Sequence, residues 1–79
     1  MTEFNKPFSF VIDNAKALHT AKFARAGWNG KNMHIGLKLA SIGDESALAW
    51  YMRAADGSLV IGWLASATDM IADDWGLIE

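Results

Sequence analysis

Between Phe8 and Thr20 the apolar residues return at helical spacing: Phe8, Val11, Ile12, Ala15 and Leu18 share one side, and Asp13, Asn14, Lys16 and Thr20 the other. This predicts one amphipathic helix over roughly residues 8 to 20, lying across a sheet, with Pro7 restricting the backbone before it and Ser9 as a candidate cap. Met1 to Lys6 is polar and expected to be loose. From Lys22 the period drops to two. Phe23 and Arg25 alternate with Ala24 and Ala26, a short strand entering Asn29-Gly30, a pair that suits the centre of a type I′ hairpin turn. Met33, Ile35, Leu37 and Leu39 then alternate with Asn32, His34, Gly36 and Lys38, the clearest strand in the chain. Ser41 to Ser46 reads as a polar connection. The next strand spans Ala47 to Ala54, with Leu48, Trp50 and Met52 on one face and Ala49, Tyr51 and Arg53 on the other. Asp56-Gly57 closes a second hairpin into Leu59-Val60-Ile61, and Gly62 before Trp63 predicts a bulge or bend. Ser66-Ala67-Thr68-Asp69 has the form of a capping box, opening a short helix from Ala67 to Asp73. Trp75 to Ile78 returns as an edge strand. The pattern describes one α+β domain over residues 1–79: a meandering antiparallel sheet of about five strands, an N-terminal amphipathic helix and a short C-terminal helix.

Composition sharpens this picture. At 79 residues a domain buries only about 60% of the surface its unfolded chain exposes. Ordering costs of roughly 1.5 kcal/mol per residue must be offset from a thin core. With 52% hydrophobic residues and four tryptophans, association between copies is expected to bury what one copy cannot. A net charge of −2 supplies no broad cationic field for DNA. Cysteine is absent, so disulfides and thiolate metal sites are excluded, and the chain suits a reducing cytoplasm. The apolar runs are too short to span a membrane.

Candidate chemistry concentrates at Arg25 to Met33 and near the second helix. A large ring on a turn beside cations makes a platform for a flat anionic ligand. Trp28 or Trp63 can stack on such a ligand or plug the sheet or a subunit interface; Trp50 and Trp75 suit core or interface. Arg25 and Lys31 suit phosphate, Arg25 with an internal partner in Asp73 or Asp74 as the alternative. The helix start at Ser66 offers backbone N–H groups, and Thr68 and Asp69 offer a hydroxyl and a carboxylate to a polar ligand, with capping as a competing role for Ser66 and Asp69. Asp74 stands at the same corner. His19 and His34 have no partner by spacing, Asp73-Asp74 point apart on a helix, and no glycine-rich phosphate loop, nucleophile elbow or zinc pattern occurs. No catalytic residue, metal or cofactor is expected.

Two segments in order, Arg25-Ala26-Gly27-Trp28-Asn29-Gly30-Lys31 and Ala55-Asp56-Gly57-Ser58-Leu59-Val60 with the run from Trp63 to Trp75, resemble the Thoeris anti-defence 2 family of small phage and prophage proteins. The likeness covers most of the chain and rests on the pair, each motif being weak alone. It implies a protein that captures a signalling nucleotide, a glycocyclic isomer of cyclic ADP-ribose, without cleaving it. It also implies an oligomer, a tetramer built from dimers with pockets between protomers, acting in the cytoplasm of an infected bacterial cell. Some relatives of that kind capture cyclic oligonucleotides of other defence systems. The chain departs from the family pattern in its short 41–46 connection and in Ile61-Gly62 before Trp63, where a proline is expected. The expectation is a non-enzymatic ligand sponge using Arg25, Trp28, Lys31, Trp63, Ser66, Thr68, Asp69 and Asp74. The rival is a structural or adaptor oligomer without a nucleotide.

Overall fold

The computed structural model describes residues 3–78, apart from the side chains at positions 29–31 and 42. The first helix, α1, spans Phe8–Ala17 and stops three residues short of the expected end. Leu18 turns extended and its N–H takes the Asn14 carbonyl at 2.9 Å; Ala21 N–H then closes the His19-Thr20 turn onto the Leu18 carbonyl at 3.0 Å. Leu18 therefore leaves the helix and is exposed, while Val11 and Ala15 carry the buried stripe. Ser9 is not the cap. Pro7 occupies that position in extended backbone, with no side-chain hydrogen bond at the helix start, because the fixed φ of proline suits the residue that leads into a helix better than its first turn needs a hydroxyl.

Five strands follow: β1 (Lys22–Arg25), β2 (His34–Ile42), β3 (Glu45–Arg53), β4 (Leu59–Ile61) and β5 (Trp75–Ile78), with α2 (Ala67–Ile71) before the last. Their order across the sheet is β4-β3-β2-β1-β5 and every pairing is antiparallel. The fold is the expected α+β meander, with β5 returning to the far edge beside β1. Lys6 is not loose: its N–H and carbonyl exchange hydrogen bonds of 2.9 and 3.0 Å with Trp75, extending that edge. Met1 and Thr2 lie outside the described residues.

Two local expectations change and a third is met. The hairpin at Asn29-Gly30 is replaced by a 3-10 helix over Ala26–Lys31, and β1 keeps two register pairs with β2 against four with β5. A tight turn would hold the chain in the sheet; the 3-10 segment lifts it out and places Trp28 on the ring of Trp75, where apolar burial outweighs the local turn preference. The polar stretch from Ser41 to Ser46 is mostly strand, paired out to Ile42↔Glu45 around a Gly43-Asp44 turn. Gly43 takes φ 63°, the left-handed conformation such a two-residue turn requires. The expected bend at Gly62 is present: with φ 85° there, the N–H groups of Gly62 and Trp63 both reach the Trp50 carbonyl, at 2.7 and 3.2 Å, the two-against-one pattern of a bulge.

Strand alternation divides the sheet into two faces. Phe23, Ile35 and Trp75 point to the side covered by α1 and form the core with Val11, Ala15 and Ala21. Lys22, His34, Lys38, Tyr51, Arg53 and Leu59 share the opposite face, as the registers Lys22↔Gly36, Gly36↔Tyr51 and His34↔Arg53 require. The β2–β3 hairpin runs past the core, so that Leu39 and Leu48, paired across it, remain 62% and 47% exposed.

Candidate functional site

Residues from both sequence motifs meet around Trp75: Arg25 and Trp28 from the first, Asp69 and Asp74 from the second. The Trp75 indole is fully buried and donates its N–H to the Asp69 carbonyl at 2.9 Å. Trp28 meets it edge to face, ring centroids 5.2 Å apart, and Phe8 packs at 5.3 Å. Trp63 continues the row, 6.5 Å from Phe8 and 6.4 Å from Trp50. Trp28, Trp50 and Trp63 are each half-buried. Each therefore gives part of its surface to the core and keeps part available.

The helix start beside this row is held by the expected capping box. Ser66 Oγ accepts the Asp69 N–H at 3.2 Å, and Asp69 Oδ2 accepts the Ser66 N–H at 3.2 Å. Asp69 also turns its other oxygen, Oδ1, to Arg25 Nη1 at 3.2 Å, while Asp74 Oδ1 takes Arg25 Nε at 2.9 Å. One guanidinium thus ties β1 to both ends of the α2 segment, and α2 is shorter than expected, ending at Ile71. Hydrogen bonding to Asp74 above all, with Asp69 adding to it, raises the Arg25 pKa further, against a smaller opposing effect of burial. The alternative of an internal partner for Arg25 is realised with Asp74, and Asp73 stays exposed. A phosphate at Arg25 would compete with these carboxylates, and two of the N–H groups at the helix start are taken by the cap. Thr68 is exposed on α2. The Lys31 side chain lies outside the described residues.

A concavity of about 400 Å³ opens on the opposite face of the sheet, between the His19-Thr20 turn and β1 to β4. Lys22, Lys38, Arg53, His19, His34 and Tyr51 line it. The His34 ring packs edge-on against Tyr51 at 5.7 Å, and Arg53 is steadied by a 3.0 Å bond from Nη1 to the Gly57 carbonyl. Burial, then the charges of Lys22 and Arg53, lower the His34 pKa below 6.5. Burial raises that of Tyr51, with Arg53 opposing. Sequence reading missed this grouping because its members come from four segments. The available signal was parity, since all the strand members occupy the polar positions of their alternations.

The His34 shift has a sign that can be checked. The folded chain holds fewer protons at His34 than the unfolded chain, so its contribution to stability is present above pH 6.5 and is lost as pH falls through the lower folded-state pKa. Urea midpoints of the parent and His34→Gln chains, compared at several pH values, are expected to converge toward acid. A difference that does not change with pH would refute the assignment.

The sequence profile of the Thoeris anti-defense 2-like domain matches residues 7–78. The chain belongs to this family. The match runs from the start of α1 through β5, so it covers both the Trp75 corner and the cationic concavity. A protein of Bacillus phage SP01 named Thoeris anti-defense 2 is 28% identical over 69 residues, covering 70% of this chain and 76% of that relative. Membership places the chain in an anti-defence family of phage type. Among the described residues, no helix is long and apolar enough to cross a membrane.

Proposed function

We propose that this Thoeris anti-defense 2-like chain is a sponge that sequesters a cyclic ADP-ribose isomer intact and so starves the host's Thoeris effector of its activator. The observation that carries the reading is the meeting of the two motif segments: Trp28 from the first and the capped Asp69 from the second both contact Trp75. The half-buried faces of Trp28 and Trp63 supply stacking surface, and Lys31 closes the 3-10 helix that carries Trp28. Thr68, on the exposed side of α2, and the remaining lone pairs of Asp69 and Asp74 serve ribose hydroxyls, Ser66 holds the helix start in place, and Arg25 orients both carboxylates. Binding fits this corner better than cleavage, because Asp69 and Asp74, its carboxylates, are already engaged by Arg25 and the cap.

The ligand is enclosed between protomers of a tetramer assembled from dimers, in the host cytoplasm. The exposed Leu39 and Leu48 on the β2–β3 hairpin, with Val60 and Ile61 at the β4 edge, supply apolar surface of the kind that association buries. An affinity near 1 nM corresponds to about −12 kcal/mol, which enclosure between subunits helps a small chain to reach.

Incubation with the glycocyclic isomer, removal of free ligand, heating and analysis of the released material tests the reading. Intact ligand is expected. Chemically altered ligand would make the chain an enzyme; no capture would leave an adaptor, and capture of cyclic oligonucleotides alone would change the ligand class. Trp28→Ala is expected to weaken capture by about 5- to 150-fold, the equivalent of one stacked base. Lys31→Ala should weaken it with the oligomer mass by light scattering unchanged. A monomeric mass for the parent chain would remove the inter-subunit pocket.

A further inference from the structure

The concavity on the sheet face opposite α1 has no role in the corner described above. Arg25 and Trp75 pair across β1 and β5 on the core side, while Lys22, His34, Tyr51 and Arg53 point to the other. The sheet itself lies between the two places. We propose that this cleft is a second ligand site, for a small phosphate ester of about mononucleotide size, in which Lys22, Lys38 and Arg53 hold the phosphate and Tyr51 carries the organic part.

Charge is the first support. Three of the seven Lys and Arg residues and both histidines line one cleft of a chain whose net charge is −2. Its described lining contains no carboxylate, and among the described residues the ion pairs involve only Arg25. Gathering like charges in a concavity without counter-charge is unfavourable in the empty protein, and the low-dielectric walls focus the resulting field on any anion that enters. Residues destined only for solubility would gain nothing from sharing a cleft.

Shape is the second. A volume of about 400 Å³ falls at the small end of ligand pockets. Leu59, paired with Arg53 on this face, adds apolar wall near the Tyr51 ring, so one end suits a flat organic group and the cations suit its phosphate. The Tyr51 position is built in: at Gly36 even a methyl group would come within 3.0 Å of the ring. Arg53 is oriented by its bond to the Gly57 carbonyl, and a guanidinium held in place loses less freedom on meeting a phosphate. His34 faces Lys22 on β1 and Tyr51 and Arg53 on β3, with Lys38 on its own strand and His19 on the turn. An anion among these groups would favour the imidazolium that they otherwise disfavour.

Titration of the full chain with AMP, adenosine and sulfate, followed by amide chemical shifts, tests the site. AMP is expected to bind, sulfate to compete, and adenosine to bind at least about tenfold more weakly, the loss of one charge-assisted contact. Lys22→Gln and Arg53→Gln should each weaken AMP by about tenfold or more. Lys16→Gln, which removes the same charge from the exposed end of α1, should leave the affinity within about twofold. Unchanged melting of Lys22→Gln, an exposed strand residue, guards against misfolding. Sulfate does not change its charge between about pH 8 and pH 5, so its tighter binding at the lower pH, lost in His34→Gln, reports that imidazole. Equal binding of adenosine and AMP, equal losses in Lys16→Gln and Lys22→Gln, or no AMP binding at millimolar concentration would overturn the proposal. So would tight binding of a single-stranded oligonucleotide that AMP does not displace, which would assign the cleft to a nucleic acid. Capture of the cyclic ADP-ribose isomer is read separately by released mass, so either site can fail without the other.

Discussion

Trp75→Ala is expected to lower the unfolding free energy by about 3–5 kcal/mol, the range for removing a fully buried aromatic side chain. A domain of this size has only roughly 4–12 kcal/mol in total, so the variant should be largely unfolded at modest urea concentrations. Trp75 is the largest fully buried side chain, and its loss acts on three elements at once. Phe8 of α1 and Trp28 of the 3-10 helix lose the ring they pack against, and the indole N–H no longer holds the Asp69 carbonyl. The two motif segments meet on this ring, so ligand capture should fail together with stability. Trp75→Phe separates the contributions, keeping most of the packing while leaving the Asp69 carbonyl without its donor, at about 1–3 kcal/mol. Urea unfolding at one fixed chain concentration is the measurement, since any association shifts the midpoint by mass action. A cost below about 1 kcal/mol for Trp75→Ala would refute its place as the hub.

Gly36→Val is expected to destabilise by about 3 kcal/mol, at the upper end for overpacking, although valine favours strands. A Cβ at this position would sit 2.9 Å from the Ala21 carbonyl oxygen and 3.0 Å from Tyr51 Cε1. The tyrosine ring can swing away, at the cost of its place in the cationic cleft. The carbonyl belongs to the backbone leading into β1, and moving it disturbs the short pairing between β1 and β2, which holds only Lys22↔Gly36 and Phe23↔Ile35. The variant should therefore lose stability and shift the Tyr51 and His34 resonances together. A neutral or stabilising valine, with those signals unmoved, would show that the close approach at Gly36 is not a constraint.

Much of this fold was legible in periodicity. The parity of Ile35, Leu37 and Leu39 against His34, Gly36 and Lys38, and of Trp50 and Met52 against Tyr51 and Arg53, is the parity of the two sheet faces. Asp56-Gly57 makes its turn, with Gly57 N–H on the Ala54 carbonyl at 2.9 Å, and Ser66 with Asp69 makes its cap. These features are decided within a few residues. The Asn29-Gly30 signal is equally local, yet it lost to the burial of Trp28 on a ring 47 positions away. Ser41 to Ser46 looked like a connection because its residues are polar, whereas an exposed hairpin needs only a register and a turn, not an apolar face. In the corner, an acidic partner for Arg25 was foreseeable; that Asp69 would serve the cap and the guanidinium with different oxygens was not.

By itself, the sequence determined the strand alternation, the capping box, the α+β class and the family, because each rests on short-range spacing or on motifs that need only order along the chain. Tertiary structure alone decided what the motifs are next to. Long-range pairing of β1 with β5 put Trp28 and Asp69 on either side of Trp75, and pairing of β1, β2 and β3 gathered Lys22, His34, Lys38 and Arg53 into one cleft. The physical reason is that a side chain's period chooses its face, whereas its neighbours across the sheet are set by strand register, to which residues far apart in the chain contribute equally.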